Sequence, residues 1–162
     1  MRRQQKGFSL IELLIVVAII LIIAAIAIPN LLRSRMAANE SSAVGSLRTI
    51  NTAELMYSTM YTADGFGTLA NLGGPAASCA GATFSSPAQA CLIDDVLATT
   101  AVKSGYNFTA TPGAGTPAVS YDSLAVPSVN GSSGQRAFCS DESGVLRFNA
   151  GGVACANTDP AL

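Results

Sequence analysis

The chain has 162 residues, of which 49% are hydrophobic and only 12% charged, and its formal net charge is −1. That length accommodates one domain with a modest core plus an extended element, and the charged fraction is about half that of an ordinary soluble domain. With no His anywhere, histidine acid/base chemistry, Ser-His-Asp triads and imidazole metal sites are excluded. From Met36 onward, four basic residues (Arg48, Lys103, Arg136, Arg147) stand against nine acidic ones, a balance of −5. No basic cluster is available for a phosphate backbone, so direct nucleic-acid binding is not expected.

The N-terminus reads Met1-Arg2-Arg3-Gln4-Gln5-Lys6-Gly7, then Phe8-Ser9-Leu10-Ile11-Glu12, then sixteen consecutive apolar residues, 13–28. As a helix, residues 8–28 would span about 31 Å, the hydrocarbon thickness of a bilayer. Arg2, Arg3 and Lys6 would hold the N-terminus on the cytoplasmic side. Glu12 is the anomaly, because a carboxylate inside a spanning segment costs about 2.5–3.5 kcal/mol. At the interface it would simply stay solvated. A cut after Gly7 changes its meaning. Three positive charges leave, and a new α-amine appears on Phe8, four residues before Glu12 on the same helical face. A lone subunit could then neutralise itself. In an assembly, the amine of an incoming subunit would meet the Glu12 of its neighbour and set the axial register of an otherwise featureless apolar bundle.

The stretch Lys6-Gly7-Phe8-Ser9-Leu10-Ile11-Glu12-Leu13-Leu14-Ile15-Val16-Val17 resembles the type III signal of type IV prepilins and type II secretion pseudopilins. The resemblance is dense from Lys6 to about Arg33. It implies cleavage between Gly7 and Phe8 by a prepilin peptidase, N-methylation of Phe8, and an assembly role for Glu12. It also covers Pro29, which sits where many of these helices bend or melt on polymerisation. Two other readings fit less. A conventional secretory signal would use Ala25-Ile26-Ala27 as its cleavage site, but its apolar core normally runs 7–15 residues without a carboxylate. A plain signal anchor explains the length and leaves Gly7-Phe8 followed by Glu12 unexplained.

The expected organisation is a cleaved leader (1–7), a transmembrane and filament-core helix (8–28), an amphipathic continuation (29–61) and a globular head (62–162). Pro29 lacks an amide donor and disfavours helix in the residue before it, so a helix break is predicted there. Arg33 and Arg35 follow, placed for phospholipid headgroups. Val44, Leu47, Ile50, Ala53, Tyr57 and Met60 recur at helical spacing, while Glu40, Ser41, Arg48 and Thr52 fall mostly elsewhere. Asp64-Gly65-Phe66-Gly67 should end this helix. Residues 62–91 read as loop, and 92–98 as a short helix. Strand patterns follow at 105–110, 118–126, 135–140 and 145–150, with Asp141-Glu142-Ser143-Gly144 as the last hairpin turn. Four antiparallel strands on a long helix give an α+β head, which also resembles the pilin fold.

Four cysteines beyond an apolar segment suggest two disulfides in an oxidising compartment. Three pairings are possible. Cys79–Cys91 and Cys139–Cys155 close the shortest loops and are favoured, although spacing alone leaves connectivity open. Asp94-Asp95 and Asp141-Glu142 lack the alternating ligands of a calcium loop and read as solvated turn carboxylates, so no metal or cofactor site is expected.

The resemblance implies a structural subunit and not an enzyme. Its partners would be identical or related pilin subunits, inner-membrane lipid before assembly, the peptidase/methylase and the pilus assembly machinery. The precursor would lie in the inner membrane and the product in an extracellular pilus, or, for a type II secretion pseudopilin, in a periplasmic pseudopilus. A reading from a different class is a membrane-anchored extracellular binding domain that uses the loops at 62–91 and 111–117.

Overall fold

A computed structural model describes residues 8–80 and 86–162. The proposed leader, with Gly7, lies outside the described residues. The chain divides into two compact units, Met1–Arg35 and Met36–Leu162, and one helix, α1 (Leu10–Met60), contributes to both. The break expected at Pro29 is absent: α1 runs through it. The proline removes one i→i−4 hydrogen bond, and the apolar residues on either side keep helical geometry across that single loss.

In the second unit, α1 ends four residues before Asp64, at Met60, and buries one stripe: Ala43, Leu47, Ile50, Ala53 and Tyr57. This matches the predicted spacing over Leu47, Ile50, Ala53 and Tyr57, whereas Met60 stands outside the core at 51% exposure. The same stripe also carries Ser46, Asn51 and Glu54 into the interior.

Within the segment expected to be loop, the described residues 62–80 and 86–91 carry regular structure. They hold two single-turn helices, α2 (Leu69–Leu72) and α3 (Ala76–Cys79). Thr68 and Asn71 cap α2 reciprocally, each side chain bonding the backbone amide of the other. The helix predicted at 92–98 forms later, as a π-helical turn at Val96–Thr100. Asp95 is the N-cap of this turn, and the preceding Asp94 accepts from the Leu97 amide through Oδ1 at 3.0 Å, which fastens the chain just ahead of it.

The sheet has five strands rather than four: β1 (Val102–Lys103), β2 (Tyr106–Pro112), β3 (Tyr121–Pro127), β4 (Ala137–Asp141) and β5 (Arg147–Asn149). It is an antiparallel meander in chain order. The additional strand, β1, has two residues and is too short to show any periodicity in the sequence.

Alternation sorts the two faces. Tyr106, Phe108, Ala110, Ala125 and Phe138 pack with the α1 stripe in the main core. On the other face, Leu124, Val126, Ala137 and Cys139 gather around Cys155. The C-terminal segment thus covers the outside of β4, which is why four consecutive β4 residues are buried. It also shields the β5 edge, with Phe148 N donating to Pro160 O and Leu162 N to Leu146 O. Both disulfides, Cys79–Cys91 and Cys139–Cys155, are formed.

Three buried polar groups pin the helix to the sheet. Asn51 Nδ2 donates to Ser140 Oγ at 2.7 Å, and Ser123 Oγ donates to Ser140 O at 3.1 Å. Ser123 and Ser140 are register partners across β3 and β4. A satisfied network of this kind penalises a shift of helix against sheet, because any slip leaves its members without partners.

Candidate functional site: the N-terminal apolar helix

The exposed end of α1 is apolar all round. Leu10, Leu14, Leu21, Ile22 and Ile26 are each more than 60% exposed. Among the described residues α1 is the one helix long and apolar enough to cross a membrane. Leu10, Leu13, Leu14, Val17, Ala18 and Leu21 line an apolar groove of about 430 Å³. Their spacing of three and four residues makes one continuous helix face. Arg33 and Arg35 are exposed farther along.

Glu12 sits in the first turn of α1, and its Oε2 accepts from the Ser9 amide at 3.1 Å. Ser9-Leu10-Ile11-Glu12 has the Ser-x-x-Glu spacing of a capping box, and this bond is its Glu-to-backbone half. The carboxylate lies where the positive end of the helix dipole favours it. The apolar run that follows hides this capping role, although the Ser-x-x-Glu spacing carries the signal. Phe8 is 78% exposed just ahead of the helix. Its expected amine exists only after a cut, so no Phe8–Glu12 pair forms in the uncut chain.

Two further acidic residues of α1 have partners that the sequence did not suggest. Glu40 Oε1 accepts from the amides of Gln135 and Arg136 at 2.9 and 3.2 Å, and its Oε2 accepts from Arg136 Nε at 2.9 Å. Arg136 Nη2 completes the ion pair at 2.8 Å. Burial pushes the Glu40 carboxyl up, but these donors together more than offset it and hold it below the usual carboxylate range. The Arg136 guanidinium also lies over the Phe138 and Phe148 rings, 5.4 and 5.6 Å from their centroids.

Glu54, completely buried, accepts from the Gly67 amide at 3.0 Å through Oε2, and burial pushes its carboxyl up to about 7. Of the acidic pairs in the sequence, Asp94 forms an ion pair with Lys103 at 2.7 Å. Asp141 Oδ1 accepts from the Ser143 amide at 3.0 Å, as a turn carboxylate does.

With this geometry in place, comparison with known proteins is informative for the N-terminus. The family described as the prokaryotic N-terminal methylation motif matches residues 2–28, so the segment that begins α1 carries that motif. Over the N-terminal region the chain is similar to curated type IV pilins. It is 64% identical over 39 residues to the type IV wide pilus major component PilA4 of Thermus thermophilus, covering 24% of this chain and 30% of that protein. It is 49% identical over 51 residues to the type IV major pilin protein PilA of Myxococcus xanthus, covering 32% of this chain and 23% of that one. The chain therefore spans less than a third of either relative's length. No solved structure matches it.

Proposed function

We propose that this chain is a structural subunit of a type IV pilus-like filament. A peptidase cuts it between Gly7 and Phe8, Phe8 is N-methylated, and residues 8–28 pass from the inner membrane into the core of an extracellular fibre. The observation that carries this reading is a helix with apolar side chains exposed on every face that begins inside the methylation motif, at residues 2–28. A helix hydrophobic all round must be covered by lipid or by other helices. The groove from Leu10 to Leu21 offers a face for a second copy, and Glu12 supplies the polar group that distinguishes one register from another.

The identity of the mature N-terminus tests the proposal. Intact-mass and N-terminal mass spectrometry of subunits from sheared filaments should find a chain that starts at methylated Phe8. A chain starting at Met1 would make the segment a simple anchor. One starting at Ile28 would make it a conventional secretory signal. Either result overturns the proposal.

A further inference from the structure

We propose that the Glu54 carboxyl is a proton-operated latch: neutral, it fastens residues 61–67 to α1, and loss of its proton loosens that segment together with the loop at 113–120. Glu54 is completely buried. Its Oε2 takes the Gly67 amide, while Oε1 is buried with no partner among the described residues. A neutral carboxyl in this place leaves one O–H unmatched. An ionised one leaves a whole charge in the interior with a single amide to stabilise it, a far larger penalty.

Among the described residues no cation compensates the charge. Tyr57 faces Glu54 from α1 itself and Tyr121 from β3, while Asp64 on the 61–67 segment acts on Tyr57, and Asp141 and Glu142 at the end of β4 act on Tyr121. Every one of these groups is neutral or acidic. Burial accordingly drives the Glu54 carboxyl up, and the Gly67 amide offsets this only in part.

The segment held by Glu54 is coupled to a second loop. Phe66 N donates to Ala118 O and Ala118 N to Asp64 O, and the Phe66 and Tyr121 rings are 4.8 Å apart. Gly65, at φ +80°, lies so close to the Ala118 backbone that any side chain there would collide with it. The two loops wall a polar cleft of about 220 Å³ lined by Tyr57, Asp64, Phe66, Gly67 and Gly113. Water reaches the ionised carboxylate only if this wall moves, and a moving wall widens the cleft.

The direction with pH follows from linkage. A carboxyl whose native value lies above its unfolded one stabilises the closed state fully below about 4.5, and the advantage is lost as pH rises through about 7. Opening should increase by up to tenfold per pH unit across that window, on the order of 100-fold in total.

Hydrogen exchange of the full chain in detergent micelles, corrected for the intrinsic pH dependence of exchange, reads this at residues 62–68 and 113–121. The expected result is protection that falls between pH 5 and 7 and levels off above that in the wild type, and stays level throughout in Glu54→Gln. Equal pH dependence in the two proteins, or none in either, overturns the latch. Should Glu54→Gln not fold, carbon-13 titration of the four glutamate carboxyls in the wild type decides. One of them should titrate above pH 6, and four ordinary titrations would refute the proposal.

Discussion

Glu40→Ala should destabilise the unit Met36–Leu162 by about 3 kcal/mol. The substitution removes the acceptor for two backbone amides and the Arg136 guanidinium at once. A charge-assisted hydrogen bond contributes about 1.5–3 kcal/mol, and an amide left without its acceptor costs about 1–3 kcal/mol where water cannot replace it. Arg136 is 42% exposed along its side chain and Glu40 only 12%. Solvent therefore recovers much of the guanidinium's loss and little of the carboxylate's contribution to the amides. For a unit of this size, about 3 kcal/mol lowers Tm by about 10 °C.

The assay is thermal unfolding of the non-reduced protein in micelles, followed by near-ultraviolet circular dichroism. A pH series supplies the second half of the test. Glu40 is held below its ordinary value of 4.5, so its stabilisation is complete above that value and disappears as pH falls through the lowered native one. The deficit of Glu40→Ala should therefore shrink below about pH 4. A Tm within about 1 °C of wild type at pH 7 would refute the clamp, and a deficit undiminished at pH 3 would refute the electrostatic account of it.

Glu12→Ala should leave membrane insertion intact, or improve it, and cripple filament formation; the ratio of sheared filaments to processed membrane subunit measures this, and wild-type yield would remove the argument for a register-setting carboxylate. Cys139→Ser should cost the head about 2–5 kcal/mol without affecting membrane insertion, since the Cys139–Cys155 bridge ties the C-terminal cover to β4. Denaturant titration and membrane fractionation check the two halves, and an unchanged midpoint would contradict the bracing role.

What the sequence reveals and conceals follows from the range of each interaction. Leu47, Ile50, Ala53 and Tyr57 announce their burial because helical periodicity is local, and Tyr106 and Phe108 do so through strand alternation. Glu40, Asn51 and Glu54 share the polar alphabet of the solvent-facing positions, yet their partners are 95, 89 and 13 residues away. No window around a carboxylate contains the amide that will meet it. The extra strand β1 and the delayed turn at Val96–Thr100 are illegible for a related reason, since both depend on one or two residues whose neighbours decide the outcome. Ser9-x-x-Glu12 is the opposite case, a fully local signal. Its meaning as a cap is hidden by the apolar run that makes the carboxylate look isolated.

If the proposed filament forms, that cap sharpens what would distinguish a stored subunit from an assembled one. Burying a side chain such as Leu14 or Ile22 away from water is favourable by about 1.5–3 kcal/mol. Lipid and a bundle of like helices provide nearly the same apolar surroundings, so this large term barely changes when the helix moves from one to the other. The difference must come from packing and from polar groups, and Glu12 is the only charged residue between Phe8 and Leu32. In the lone chain it is already partly satisfied by the Ser9 amide, so a neighbour's amine competes with an existing bond rather than rescuing a bare charge. A charged amine is the stronger donor and would win that competition in a filament where the registers match. In a mismatched register the amine would lose its neighbour's carboxylate and have to compete with Ser9 for its own Glu12, in an apolar core where an unpaired charge costs several kcal/mol. The penalty for misregister thus falls on the incoming amine, which is why removing Glu12 should erase discrimination between registers while leaving insertion untouched.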